Sequence, residues 1–325
     1  MTSGYPYRAG EKTSIVPVLA LLLLLALNPS THAAEFSEDA KTLSSMPWWL
    51  WSLSLFVLCI FLGILAVLAG MGGAILYVPI VSVLSPFHLD FVRGAGLVVT
   101  LAGSIGASPR LLKTGMASLR LALPLAFFSS VGSLIGANAG LALPPKAVKL
   151  VLGVIIIAVV VLMLFTKNID CPPLRGKNPL AGRMKIGGIF VDGITGNSTE
   201  WGVRRIPLGL ITFFIIGLIG GVFGLGSGWA NVPTLNLLLG APLKIAVATS
   251  VLIIAITSSA ASWVFINQGA IVPIIVVPSM AGIMLGTRIG ARLLPRISKT
   301  IVRYFVLGIL ILAALLLLLE MVWKG

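Results

Sequence analysis

Two glycine-rich motifs begin at Gly70 and Gly224, 154 residues apart. Their residue types and their spacing make them the candidate binding elements of this chain. Each motif interrupts apolar sequence, where glycine and proline break a helix. A helix that restarts after such a break exposes backbone N–H groups and partial positive charge, so it can hold an anion without a charged side chain. The motif residues that we predict to bind substrate are Gly70, Gly72, Gly73 and Pro79, and Gly224, Gly226, Ser227, Gly228, Asn231 and Pro233.

Polar side chains near the motifs could complete a pocket. Tyr77 and Asn236 lie close in sequence, and the predicted helix after each motif carries hydroxyls. Of these we predict Thr100, Ser104, Thr249 and Ser250 to bind substrate, with Thr257 and Ser258 beside them. The alternative is that the glycines only allow helices to pack closely and that the hydroxyls bond back to their own helices. That alternative is favoured for any single residue, whereas the duplicated pair of motifs favours a binding site.

The composition identifies a protein of the bilayer. The chain has 325 residues, of which 58% are hydrophobic, and its mean hydropathy is +1.09. An upright membrane span needs about 20 apolar residues. Apolar runs of that order occupy 48–69, 118–141, 147–165, 205–223, 245–266 and 270–287. We therefore predict a multi-pass protein of the cell (inner) membrane, with the lipid bilayer as its surroundings.

The net charge of +14 does not indicate a nucleic-acid partner. No block of basic residues alternates with aromatic ones, and basic residues are retained in the cytoplasmic loops of membrane proteins. The two cysteines, Cys59 and Cys171, lack metal or redox spacing. We therefore predict no metal site and no cofactor, and leave open whether the protein forms a homo-oligomer.

The chain matches itself when it is shifted by 154 residues. Pro124 then meets Pro278, Gly132 meets Gly286, and Ile135-Gly136-Ala137 meets Ile289-Gly290-Ala291. Glycines and prolines that stay in register over such a length indicate an internal duplication. We divide the chain into an N-terminal segment 1–34 (a signal peptide or an N-terminal helix), a first transmembrane repeat 48–165, a cytoplasmic loop 166–204 and a second transmembrane repeat 205–320. A short hairpin is predicted around 186–192.

The distribution of basic residues predicts the orientation of each repeat. If residue 40 is outside and each repeat crosses five times, 18 of the 23 basic residues lie inside. Lys113 corresponds to Asn267, whereas Asn138 corresponds to Arg292, so the bias reverses between equivalent loops. The predicted fold is all-α and polytopic, with inverted repeats of about five transmembrane segments each and broken helices at the glycine motifs. Re-entrant motif segments would give four crossings each and are less favoured. His88, Asp90 and Arg93 are expected in a polar external loop.

Two half-repeats, each opening with a glycine-rich motif that closes on Val-Pro, resemble the sulfite exporter TauE/SafE family. The resemblance covers about residues 48–320. In the second motif Ser227 stands where the first has Gly73, and Gly228 where it has Ala74. The resemblance implies transport of sulfite, sulfonates or other small sulfur-containing anions, often outward.

The energy source can be argued from the residues themselves. No acidic residue or histidine falls in the middle of a predicted span, so a side-chain proton relay has no obvious members. The membrane potential alone could drive an anion out of a negative interior. We therefore predict export of a small anionic substrate, with an anion channel or an importer of a sulfur-containing anion as alternatives.

A membrane-embedded enzyme is disfavoured by the residues present. Gly226-Ser227-Gly228 resembles the serine of an intramembrane protease, but that chemistry needs a base beside the serine. His32 and His88 are both too peripheral in the sequence to serve. The chain is therefore not expected to be an enzyme.

Overall fold

The described part of the chain is almost entirely helical. The computed structural model describes residues 48–69, 73–85, 87–113, 117–165, 187–191, 198–293 and 306–316. Six of the described helices are long and apolar enough to cross a membrane. The fold is therefore that of an all-α polytopic membrane protein, as predicted. Gly70, Gly72, the N-terminal segment 1–34 and most of the loop 166–204 lie outside the described residues.

The described residues of the first half form five helices. They are α1 (Trp48–Ala69), α2 (Ala74–Leu84), α3 (Leu89–Lys113), α4 (Leu119–Ala142) and α5 (Pro145–Phe165). Helix α2 has only 11 residues, so at 1.5 Å per residue it spans about half of the hydrocarbon core.

The second half repeats this order of long and short helices over its segments before α10. It contains α6 (Ile206–Phe223), α7 (Gly228–Pro233), a π-helical turn (Thr234–Leu238), α8 (Leu243–Asn267), α9 (Pro273–Leu293) and α10 (Val306–Leu316). Helices α3 and α8 have the same length, 25 residues, and begin 154 positions apart. The short segment after each motif, α2 or α7 with its π-turn, likewise covers equivalent positions.

A hairpin interrupts the segment between the halves. Strand β1 (Gly187–Val191) pairs antiparallel with β2 (Ser198–Gly202), with Gly187 opposite Gly202. The predicted hairpin region contains β1, and its partner strand lies further along the chain than predicted.

Two close helix contacts join the halves, and each one packs a helix of one half against a helix of the other. A Cβ on Gly132 of α4 would lie 2.2 Å from the Phe214 carbonyl oxygen of α6. A Cβ on Gly286 of α9 would lie 2.2 Å from the Ile60 carbonyl oxygen of α1. Only glycine permits such an approach of two helix backbones. Helix α4 of the first half is thus packed on α6 of the second, and α9 of the second on α1 of the first.

One sequence prediction is wrong at the start of α3. Asp90 and Arg93 lie within the helix and not in an external loop, and Arg93 is fully buried. His88 precedes the helix and is partly buried. The helix can hold this charge because the side chain of Asp90 is ion-paired with that of Arg93. A buried charge is tolerated in this form, with a partner and hydrogen bonds.

Candidate functional site

The backbone of the second motif leaves the helical conformation between α6 and α7. Helix α6 ends at Phe223, and Gly224 and Gly226 adopt left-handed φ values of 68° and 66°. Glycine adopts this conformation without the steric cost that a Cβ would bring. The Gly226 N–H donates to the Gly220 carbonyl at 3.3 Å, which folds the motif back on the end of α6. Helix α7 begins at Gly228.

Gly226 packs between the two central helices. A Cβ at this position would lie 3.2 Å from Ser258 Oγ on α8 and 3.2 Å from Thr100 Cγ2 on α3. Thr100 and Ser258 are both buried. The motif therefore brings side chains from both halves of the chain to one point.

Thr100 connects the two motifs. Its Oγ1 accepts a 3.0 Å hydrogen bond from the N–H of Ala74, the first residue of α2, and donates to the Gly96 carbonyl at 2.9 Å. Its methyl group faces Gly226. The start of α2 and the second glycine motif thus contact the same threonine.

Ser227 and Asn231 form the polar side of the second motif. Asn231 Nδ2 donates to Ser227 Oγ at 3.2 Å, and both residues are completely buried. Within the described residues Asn231 Oδ1 has no hydrogen-bond partner. Because Ser227 Oγ accepts from the amide, its own proton is left for another acceptor.

Several buried hydroxyls in the described part of the chain have no hydrogen-bond partner. A buried polar group without a partner costs about 1–3 kcal/mol, so an assembly of them calls for a reason. Four lie on one face of α8 and two on α4. They are Ser250, Thr257, Ser258, Ser262, Ser129 and Ser130. Helix α8 contributes to the site near Gly226 through Ser258, and Ser133 Oγ of α4 donates to the Thr257 carbonyl at 3.3 Å.

Gly73, the described glycine of the first motif, has apolar side chains as its nearest neighbours, whereas Gly226 of the second has the side chains of Ser258 and Thr100. A Cβ on Gly73 would lie 3.0 Å from Ile283 Cδ1 and 3.9 Å from Val99. Ile283 is equivalent to Ser129 by the shift of 154 residues. Ser104, the equivalent of Ser258, donates back to the Leu101 carbonyl at 2.7 Å. The hydroxyl that is unpartnered in the second half is therefore satisfied by its own helix in the first.

The remaining predicted residues have other surroundings. Thr249 Oγ1 accepts from the Ser118 N–H at 3.2 Å, at the start of α4. Asn236 Nδ2 donates to the Ala241 carbonyl at 2.9 Å and so closes the π-helical turn. Pro79 lies buried inside α2, and Pro233 ends α7. Ser250 is buried two helical turns before Ser258, and Gly228 begins α7.

Sequence reasoning missed two groups of residues. Ser129 lies on a helix that the motifs do not touch in sequence, but aligning the repeats pairs it with Ile283, the neighbour of Gly73. The sequence alone carries no signal for it, because the proximity of Gly73 and Ile283 is visible only in three dimensions. Arg93 was assigned to a loop because a charge at the edge of an apolar run usually marks the end of a span. Its ion pair and its acceptors on other helices are visible only in three dimensions.

The comparisons with known proteins decide the family. The model of the family described as "Sulfite exporter TauE/SafE" matches residues 55–317. The chain belongs to this family. This confirms the resemblance given by the glycine motifs. A Bacillus subtilis (strain 168) protein described as "Probable membrane transporter protein YunE" is 25% identical over 259 residues, covering 76% of this chain and 92% of that protein. No solved structure gives a significant match.

This TauE/SafE protein is therefore a multi-pass membrane transporter. The family and the relative are both described as transporters, which points away from an enzyme, in agreement with the sequence prediction. The predicted transport function and transmembrane helices are likewise confirmed, with six helices able to cross the bilayer among the described residues.

Proposed function

We propose that this transporter exports a small sulfur-containing oxyanion, such as sulfite or a sulfonate, and holds it at the second glycine motif. The binding groups are the hydroxyls of Ser227 and Ser258 with the amide N–H of Asn231. Thr100 borders them with its methyl group, because its hydroxyl is bonded to Gly96 and Ala74. The N–H groups of the broken backbone add to them. The first motif supports the site through Thr100 and the start of α2.

The unpartnered Ser258 hydroxyl beside Gly226 carries this proposal, together with the Ser227 hydroxyl of the motif itself. A hydroxyl can donate to the oxygen of an anion, and such charge-assisted hydrogen bonds are about twice as strong as neutral ones. Asp90 is the sole acidic residue in the described membrane-crossing helices, and it is paired with Arg93. No carboxylate of these helices is therefore left to repel an anion at Ser258.

We infer that the two halves are inverted repeats. The exchanged contacts of Gly132 and Gly286 support a two-fold relation between the halves, and the equal spacing of α3 and α8 supports the same relation. Reversal of the basic residues between equivalent loops then favours opposite orientations in the membrane. Such a pair of halves is the usual basis of alternating access around one site.

The membrane potential supports the outward direction. Moving one charge through 100 mV is worth about 2.3 kcal/mol, so a dianion gains roughly twice that on leaving a negative interior. A site made of neutral hydroxyls suits this task because it releases an anion more readily than a cationic site would. Export then needs no proton relay.

Reconstituted vesicles test the proposal. Sulfite, an organic sulfonate, thiosulfate and sulfate are supplied one at a time, and efflux is followed with an imposed potential of either sign. We expect saturable efflux of at least one sulfur oxyanion that accelerates when the vesicle interior is negative. Efflux that ignores the potential would contradict the energy source, and transport of none of the four anions would contradict the substrate class.

The same vesicles separate a carrier from a channel and an exporter from an importer. A carrier shows countertransport, in which unlabelled anion on one side accelerates movement of labelled anion from the other. A channel gives flux that rises linearly with concentration and lacks this exchange. In intact cells, accumulation of the anion after deletion of the gene supports export, whereas loss of uptake supports import.

A further inference from the structure

Arg93 holds three helices together at one end of the molecule. It is completely buried on α3, and its guanidinium donates to the Val222 carbonyl of α6 at 2.7 Å and to the Gly140 carbonyl of α4 at 3.2 Å. It is also ion-paired with Asp90, one turn earlier on α3. Val222 and Gly140 lie at the C-terminal ends of their helices, where carbonyls lack helical partners and cations are favoured.

An apolar layer separates this arginine from the hydroxyl site. Leu97, Ala137, Ala261 and Phe265 form a buried cluster from α3, α4 and α8. The guanidinium carbon of Arg93 lies 5.8 Å from the centre of the Phe265 ring. Leu97 lies between Arg93 and Thr100 on α3, and Ala261 lies between Ser258 and Phe265 on α8. From the site toward this end, the order is therefore the Thr100 and Ser258 positions, the apolar layer, and an ion pair in which Arg93 is buried and Asp90 is partly exposed.

The equivalent positions of the second half carry no such arrangement. Val247 replaces Arg93, Lys244 replaces Asp90 and Val251 replaces Leu97. Val247 and Val251 are partly exposed, whereas Arg93 and Leu97 are completely buried. The pairing of positions 90 and 93 therefore has no counterpart at positions 244 and 247.

We propose that Arg93 and Asp90 are positioning residues for transport, forming a lock that closes the α3 N-terminal end of the substrate path. The lock holds α4 and α6 against α3, and these contacts break when this end opens to admit or release the anion. Arg93 acts through the helix ends and does not bind the substrate. The inference rests on the proposed transport cycle, in which one site is exposed to each face in turn.

The contacts explain why these residues can switch. Val222 is two residues before Gly224, and the Gly224 position would place a Cβ within 2.7 Å of Arg93 atoms. A movement of the glycine motif on substrate binding therefore changes the distance from the Val222 carbonyl to the guanidinium directly. If Arg93 only capped the C-terminal end of α6, its contact with the Val222 carbonyl would suffice. Its further contacts with Gly140 of α4 and with Asp90 join three helices.

Accessibility of a reporter cysteine tests the lock. Ser262, buried between Ser258 and Phe265 on α8, is replaced by cysteine in a background lacking Cys59 and Cys171. A membrane-impermeant thiol reagent is applied to each face of oriented vesicles in turn. We expect Arg93→Met to raise labelling from the lock face about tenfold or more, the effect of losing charge-assisted hydrogen bonds. Labelling from the opposite face should not rise.

Three variants keep the test decisive. Asp90→Asn should give a smaller increase from the same face, since the guanidinium keeps its two carbonyls. The double variant Arg93→Met/Asp90→Asn removes both charges, leaves neither one buried alone, and should label like Arg93→Met. Lys146→Ala, an exposed cation at the start of the following helix α5, should label like the parent protein.

The outcomes separate the lock from general loosening and from the proposed function. Unchanged labelling in the folded Arg93→Met and double variants overturns the proposal, as does an equal increase from both faces. Anion efflux by the unmodified transporter tests the proposed function independently, because the labelling assay requires no substrate. A lock variant should also bind the transported anion with its parent affinity while its turnover changes.

Discussion

The two glycine motifs occupy equivalent positions in the two halves and differ in what surrounds them. Around the second, Gly226 contacts Thr100 and the unpartnered Ser258 hydroxyl. Around the first, Gly73 contacts Ile283 and Val99. Gly73 and Gly226 therefore differ in the polarity of their nearest neighbours.

The proposed function assigns separate roles to the two motifs. Two polar sites facing each other would bring two anions close together in a low-dielectric interior, where like charges repel strongly. One polar site with an apolar counterpart avoids that repulsion. The first motif then supplies a rigid wall, and its α2 helix is fixed to the site through Thr100.

Replacement of Gly226 by leucine should break the second motif most severely. The residue has a φ of 66°, and a Cβ would lie 3.2 Å from Ser258 Oγ, so leucine is both strained and too large. We expect anion efflux to fall about a hundredfold or more, with insertion unchanged, since a loss above 2.7 kcal/mol suffices for about that factor. Gly308→Leu is the control, because nothing lies within 4 Å of a Cβ there. Normal efflux by Gly226→Leu would refute the site.

Removing equivalent hydroxyls should distinguish the two motifs. Ser258 Oγ has no protein partner, whereas Ser104 Oγ is bonded to the Leu101 carbonyl. If Ser258 donates to the anion, Ser258→Ala should raise the KM for efflux about tenfold, the value of one hydrogen bond to a charged group. Ser104→Ala should change KM by less than about twofold. Equal effects of the two variants would remove the proposed asymmetry.

Replacing the packing glycines Gly132 and Gly286 by alanine should test whether the two helix contacts are equivalent in stability. A Cβ on Gly132 or on Gly286 would lie 2.2 Å from a carbonyl oxygen of the opposing helix. Gly132→Ala and Gly286→Ala should each cost about 1–3 kcal/mol, the usual effect of overpacking. Thermal unfolding in detergent measures this, and we expect similar losses at the two positions. A loss at one position alone would show that the two helix pairs are not equivalent.

The features that occur in both halves could be predicted from the sequence, whereas the single buried Arg93 could not. Gly132 and Gly286 were visible as a duplicated pair because close helix packing restricts both positions to the same residue type. The hydroxyls of Thr100 and Ser258 were visible because they follow the motifs in the chain. Arg93 was misplaced because its acceptors, Gly140 and Val222, are 47 and 129 residues away. A single charged residue at the edge of an apolar run carries no sign of such partners.

The π-helical turn was missed for a different reason. Pro233 predicted a kink or a restart, but the Thr234–Leu238 turn depends on Asn236 bonding to the Ala241 carbonyl. That contact requires the chain to have already turned back beyond the helix. The helix propensity of these residues therefore does not predict the turn, because the hydrogen bond that accompanies it forms only when the chain has folded back.

The packing of helices from one half against helices of the other affects how the chain folds during synthesis. Helix α1 leaves the ribosome early, but its packing partner is α9, and the hydrogen bond from Ser52 to the Ile274 carbonyl joins residues 222 positions apart. At a synthesis rate of about 5–20 residues per second, α1 waits roughly 10–45 seconds for that partner. During this interval the helix face around Gly63 is covered by lipid or by a chaperone. A ribosome that stalls in the central loop therefore releases a first half that lacks the surface against which it folds.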